Sequence, residues 1–76
     1  MRTIEEINKI FDMVNSEDEE LQNLGLSIMC PKLDTKTLHY ITRDTYIRET
    51  ANKLAQEAYK LGFEYGTEII KKYYGV

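Results

Sequence analysis

The sequence predicts an all-α fold in which two short N-terminal helices pack on one long C-terminal helix, with a short helix or an irregular segment between them. Three observations lead to this prediction. Helix-capping residues precede the first apolar segments, and apolar residues recur with the period of about 3.6 residues that an α-helix has. The only proline, Pro31, lies before the longest periodic segment.

The first helix is expected to begin at a capping box formed by Thr3 and Glu6. In such a box the threonine hydroxyl accepts a hydrogen bond from the backbone N–H of the glutamate, and the glutamate carboxylate accepts one from the threonine amide. The helix is expected to end near Asn15. The apolar residues that share one side of it are Ile4, Ile7, Ile10, Phe11 and Val14.

Ser16 and Glu19 repeat the capping pattern, which predicts that a second helix begins almost at once. Pro31 ends it, because proline disfavours helical geometry at the preceding residue. The acidic run Glu17–Glu20 suits the positive end of the helix dipole, and it lacks the spacing of a calcium-binding loop. The residues expected on the core face of this helix are Leu21, Leu24, Gly25, Ile28 and Met29.

The segment from residue 32 to residue 44 has two interpretations. Residues 37–42 have high β-propensity and could form a strand. We favour a short helix capped by Asp34 or Thr35, because a lone strand would have no pairing partner in so short a chain.

The third helix is predicted to start after Asp44 and to continue to about Tyr74. On a helical projection, a row of large apolar residues lies beside a seam of small ones. The large residues are Ile47, Leu54, Leu61, Tyr65 and Ile69, and the small ones are Ala51, Ala55, Ala58, Gly62 and Gly66. Three interpretations of the seam remain open: another helix of the same chain fills it, the helix breaks near Gly62, or a partner chain occupies it.

Beyond the seam lies a second apolar row, here called the aromatic stripe, formed by Tyr59, Phe63, Ile70 and Tyr74. One neighbouring helix cannot cover both rows. Aromatic side chains are favoured at interfaces because they bury large areas at modest entropic cost. The aromatic stripe is therefore the predicted protein-binding site.

Length and charge limit the class of protein. The chain has 76 residues, which predicts a single domain, and its net charge of −3 is not the basic signature of a nucleic-acid-binding protein. The charge is uneven, since residues 1–34 carry three basic and eight acidic side chains whereas residues 35–76 carry seven and five. The longest uncharged stretch, residues 21–31, falls short of the roughly 20 residues of a membrane span. One cysteine, Cys30, does not suggest an oxidising compartment, so we expect a soluble, cytoplasmic protein.

The sequence contains little chemistry for catalysis. Cys30 and His39 are the only thiol and the only imidazole, and no nucleotide, cofactor or metal-binding motif is present. We therefore expect a non-enzymatic protein–protein interaction module, such as an adaptor, an inhibitor or an assembly component of a virus or a cell, that binds a protein partner or a second copy of itself. The alternative is a small nucleic-acid-associated regulator that uses Arg43, Arg48, Lys53, Lys60, Lys71 and Lys72.

Overall fold

The structure, a computed structural model, describes residues 1–75. Four α-helices and one 3₁₀ turn account for most of these residues, and no strand is found among them, so the predicted all-α class is confirmed. The elements are α1 (Ile4–Val14), α2 (Glu19–Met29), the 3₁₀ turn (Thr35–Thr37), α3 (Tyr40–Leu61) and α4 (Phe63–Tyr74).

The start of α1 is the predicted capping box. The Thr3 hydroxyl accepts from the Glu6 amide at 3.2 Å, and a Glu6 carboxylate oxygen accepts from the Thr3 amide at 3.1 Å. The helix ends at Asn15, also as predicted. This capping satisfies backbone donors that the first turn would otherwise leave without partners.

The predicted capping box of α2 is wrong. Asp18 is the N-cap, and its carboxylate accepts from the Glu20 amide at 2.9 Å. The Ser16 hydroxyl accepts from the Asp18 amide at 3.0 Å, so Ser16 shapes the connection instead of starting the helix. The end of α2 at Met29, two residues before Pro31, agrees with the prediction.

Asp34 caps a single 3₁₀ turn, which confirms the predicted short helical element and excludes a strand between residues 32 and 44. The predicted start of the third helix after Asp44 is wrong, because α3 already begins at Tyr40. Arg43 explains the earlier start. Its guanidinium donates to Asn23 at 2.7 Å and to the Thr35 carbonyl at 3.1 Å, which holds this first turn against α2.

The prediction of a single uninterrupted C-terminal helix is also wrong. Gly62 has an extended backbone and separates α3 from α4, so the break near Gly62 is the alternative that the structure shows. A straight helix over residues 40–74 would measure about 52 Å, whereas the molecule is 35 Å along its longest axis. The helix α4 therefore folds back along α3, and together they form a helical hairpin.

Tyr73, near the end of α4, shows how far the hairpin closes. Burial raises the pKa of its phenol, and the neighbouring Tyr74 raises this pKa further. Two charged side chains of α3 also act on it: Arg48 lowers the pKa and Asp44 raises it. Arg48 and Asp44 belong to the N-terminal half of α3, so α4 returns along α3 as far as that region.

One apolar core joins α1, α3 and α4, and α2 contributes Leu26 to it. The side that α1 was predicted to bury is buried, with Phe11 only 2% exposed. The seam of small residues on α3 lies inside the same chain, which was one of the three interpretations. The fully buried side chains include Ile7, Phe11, Val14, Leu26, Leu54 and Ile69.

Candidate protein-interaction surfaces

A groove with several apolar lining residues lies between α1 and α2. Its volume is about 450 Å³. Ile10 and Met13 of α1 and Leu24 and Ile28 of α2 line it, and Arg2, Glu6 and Lys9 lie at its rim. We call this surface, together with Leu21 at its end, the α1–α2 groove.

Sequence reasoning predicted the wrong orientation for α2. Leu21, Leu24 and Ile28 were expected in the core, yet they are 44%, 52% and 41% exposed. Gly25 is buried as predicted, and Met29 packs partly against the core.

Gly25 explains this orientation. A Cβ atom at Gly25 would lie 2.7 Å from Val14 Cγ2 and 2.9 Å from the Val14 backbone nitrogen, so α2 approaches α1 at this glycine. That approach directs Leu26 into the core and leaves Leu21, Leu24 and Ile28 along the outer edge of the contact.

The aromatic stripe is divided by the break at Gly62. Phe63 and Tyr74 on α4 are 76% and 52% exposed, whereas Tyr59 and Ile70 are half-buried and pack against the core. The Tyr59 ring lies 5.6 Å from the Phe63 ring. The structure thus brings two of the four predicted residues to the surface and uses the other two partly in packing.

Tyr40 and Ile41 form a third exposed apolar surface, which sequence reasoning did not identify. They are 90% and 83% exposed in the first turn of α3. Their β-propensity had suggested a strand. The useful signal would have been two large apolar residues side by side before the helical period begins.

The polar clusters of the molecule are held by contacts within the chain. Arg43 donates to Gln22 at 3.0 Å as well as to Asn23 and the Thr35 carbonyl, and it pairs with Glu19 at 3.5 Å. Arg2 reaches both carboxylate oxygens of Glu57 at 2.8 and 2.9 Å, which fixes the start of α1 to α3. These two arginines therefore act as ties between helices.

The two ends of the groove carry different charges, with Arg2, Glu6 and Lys9 at one end and acidic side chains at the other. The hydrogen bond from the Thr3 amide, and next the nearby Thr3 side chain, lower the pKa of Glu6, with a further contribution from Arg2, so this carboxyl stays ionised at neutral pH. At the opposite end, Glu17, Glu19 and Glu20 are exposed around the start of α2.

The structure does not bring Cys30 and His39 together. Cys30 lines a depression with Tyr46 and Lys53, whereas His39 lines a different one with Glu19. Within residues 1–75 no three His, Cys, Asp or Glu side chains are grouped as they would be to hold a metal ion.

Comparison with known proteins gave no match to a family model, a curated protein or a solved structure. None of the helices in residues 1–75 combines the length and the apolarity that crossing a bilayer requires.

Proposed function

We propose that this chain is a non-enzymatic protein-interaction module whose α1–α2 groove receives an amphipathic helix of another protein. The observation that carries the proposal is the exposure of Leu21, Leu24 and Ile28 beside the groove. Their spacing of i, i+3 and i+7 places them in one row, which is the pattern that a helix in a groove uses for its anchors.

The exposed area supports a docking role. A folded monomer of this size is expected to expose about 4,800 Å², and this chain exposes 5374 Å². Monomers rarely leave contiguous apolar patches uncovered unless these bind something. The groove is concave and stands between two rigid helices, so its shape does not depend on a loop.

The charges around the groove indicate which charges a partner helix should carry. The groove lies within residues 1–34, which carry three basic and eight acidic side chains. The exposed acids of Glu17–Glu20 stand at the end of the groove where Leu21 lies. Complementary charge across an interface speeds association and suppresses wrong partners, so we infer a helix with an apolar row and a basic flank at the end that meets Glu17–Glu20.

The aromatic stripe enters the proposal as a secondary contact through Phe63 and Tyr74. The free thiol of Cys30, half-buried and without a disulfide, supports a reducing compartment such as the cytoplasm. The nucleic-acid alternative gains no support from Arg43, whose donors are occupied within the chain.

The proposal can be tested with a fluorescent synthetic peptide that has leucines at i, i+3, i+4 and i+7 and lysines at one flank. We expect anisotropy titrations to show saturable binding that Leu24→Ser weakens roughly tenfold or more, because one apolar anchor loses its burial. A peptide with glutamates in place of the flanking lysines should bind more weakly still.

Ile41→Ser provides the matched control, since Ile41 is an exposed apolar residue far along the chain from the groove. It should leave the affinity unchanged. Equal affinity of the wild type and Leu24→Ser, or of the lysine and glutamate peptides, would refute the groove as the docking site.

A further inference from the structure

The α3–α4 hairpin turns on one residue. Antiparallel helices are usually joined by about 2–5 residues, and here Gly62 alone lies between Leu61 and Phe63. The Gly62 amide donates to the Ala58 carbonyl at 3.0 Å, and the Gly66 amide donates to the Gly62 carbonyl at 3.4 Å. Both bonds have the i to i−4 spacing of an uninterrupted α-helix.

Opening the turn would therefore change the backbone dihedral angles of few residues. If Gly62 took helical dihedral angles, the amides of residues 63–65 would reach the carbonyls of residues 59–61, as in a continuous helix. The helix α4 would then extend α3 in a straight line.

Apolar residues around the turn fit the straight form better than the hairpin. Leu61, Phe63 and Tyr65 are 37%, 76% and 45% exposed in the hairpin. In a straight helix Leu61 and Tyr65 would align with Leu54 and Ile69, because the spacings of 7, 4 and 4 residues keep them in one row. The apolar pattern thus continues in phase through a residue at which the helix stops.

The helix α4 is held almost entirely by α3, and α1 touches it at only a few positions. It could leave as a unit without separating α1, α2 and α3. Its departure would uncover Ile69 on α4, fully buried in the hairpin, and the part of α3 on which α4 packs. A second copy of the same chain offers the matching surface for each.

We propose that this protein forms a domain-swapped dimer in which α3 and α4 become one straight helix and each α4 packs on the α3 of a second copy. The contacts of the hairpin are then made again between chains. Where the two straight helices cross, Leu61, Phe63 and Tyr65 of both copies form a new apolar contact. This inference concerns the C-terminal hairpin and does not depend on the α1–α2 groove.

Gly62→Ala tests the hinge. Alanine favours the straight helix in both chains of the dimer, so the dimerisation constant should rise about thirtyfold. Sedimentation equilibrium after refolding at high concentration measures it. Thr42→Ala, an exposed helical substitution far from the turn, is the matched control. It should leave the dimerisation constant within about threefold of the wild type, because its gain in helix propensity is smaller and is present in both the hairpin and the straight form.

A flexible Gly-Ser-Gly insertion after Gly62 should give a monomer, because it relaxes the turn and interrupts the straight helix. An unchanged dimerisation constant in Gly62→Ala, or a dimer that survives the insertion, would overturn the proposal.

Spin labels distinguish exchange from side-by-side association. With Cys30→Ser, labels at Glu49→Cys and Lys72→Cys are 23 residues apart, which gives about 35 Å in a straight helix. In the hairpin, position 49 lies on α3 and position 72 lies on the neighbouring α4, and the axes of the two helices are about 8–10 Å apart. Pulsed electron spin resonance on dimers diluted with unlabelled chain should show the longer distance, and a dimer that keeps the shorter distance would contradict the exchange.

Discussion

The two helical hairpins of this protein are closed in different ways. The α1–α2 connection has four residues and its own hydrogen bonds, in which Ser16 accepts from the Asp18 amide and Asp18 accepts from the Glu20 amide. The α3–α4 connection has one residue, Gly62, without a side-chain cap at the start of α4. Side-chain hydrogen bonds therefore fix the connection of the first hairpin, whereas the turn of the second has backbone hydrogen bonds only and depends more on the surface that the hairpin buries.

The difference also determines which apolar residues stay at the surface. In the first hairpin the close approach at Gly25 leaves a groove along the helices. In the second, the exposed residues Leu61, Phe63 and Tyr65 gather at the turn. We infer that a groove between fixed helices suits a foreign helix and that a turn with exposed apolar residues suits exchange with a second copy.

The largest expected effects come from substitutions of buried apolar residues, which should act differently in the two hairpins. Phe11→Ala in α1 should destabilise the protein by about 3–5 kcal/mol and abolish the cooperative transition, because a chain of this size has little stability to lose. Ile69→Ala in α4 removes a similar contact, yet it should release α4 while α1–α3 keep their helical signal.

Circular dichroism during thermal unfolding measures both variants. Loss of all helical signal in Ile69→Ala would break the comparison, because α4 would then be an inseparable part of one cooperative unit.

Gly25→Ala tests how tightly the first hairpin is packed. The added Cβ would meet the Val14 side chain at 2.7 Å and the Val14 backbone nitrogen at 2.9 Å, and the backbone cannot move aside. We expect a loss of about 1–3 kcal/mol despite the gain in helix propensity. Urea unfolding gives the value, and a variant more stable than the wild type would show that α1 and α2 are less closely packed.

Thr50→Val tests a buried position of α3, where the Thr50 hydroxyl has no hydrogen-bond partner in the described part of the chain. Removing an unpaired hydroxyl at nearly constant volume is expected to stabilise the protein by about 1 kcal/mol, or to raise Tm by about 4–8 °C. A lower Tm in scanning calorimetry would mean that the hydroxyl is satisfied in solution.

The smallest effect is a pH dependence confined to the first hairpin. The folded pKa of Glu6 is lowered, so its contribution is present at neutral pH and disappears as the pH falls below about 4.5 through the folded value. Glu6→Gln should therefore differ from the wild type in urea unfolding at pH 7, and the difference should shrink as the pH falls through the folded pKa of Glu6. A difference that stays the same from neutral to acidic pH would assign the effect to something other than ionisation.

The sequence was sufficient where a local contact decides the structure. The capping box of Thr3 and Glu6, the end of α2 before Pro31 and the cap at Asp34 each depend on residues within a few positions. The break near Gly62 was one of the open alternatives, and the sequence could not select it because the apolar pattern is in phase on both sides and glycine disfavours a helix by only about 1 kcal/mol. The packing of α4 on α3, a long-range contact, decides it.

The candidate groove was missed for a related reason. Periodicity identifies the apolar side of α2 and does not say which way that side faces. The contact between Gly25 and Val14 sets the orientation, and only the folded chain contains that contact. Leu21, Leu24 and Ile28 were therefore identified correctly as one row and placed wrongly in the core.

Native-state hydrogen exchange tests the central difference between the hairpins most directly. The account predicts that the α4 amides of Ile69 and Ile70 exchange through an opening that has a lower free energy and a weaker urea dependence than the opening that exposes the α1 amides of Ile10 and Phe11. Equal free energies and equal urea dependence for α1 and α4 would contradict it, because the two hairpins would then open only together.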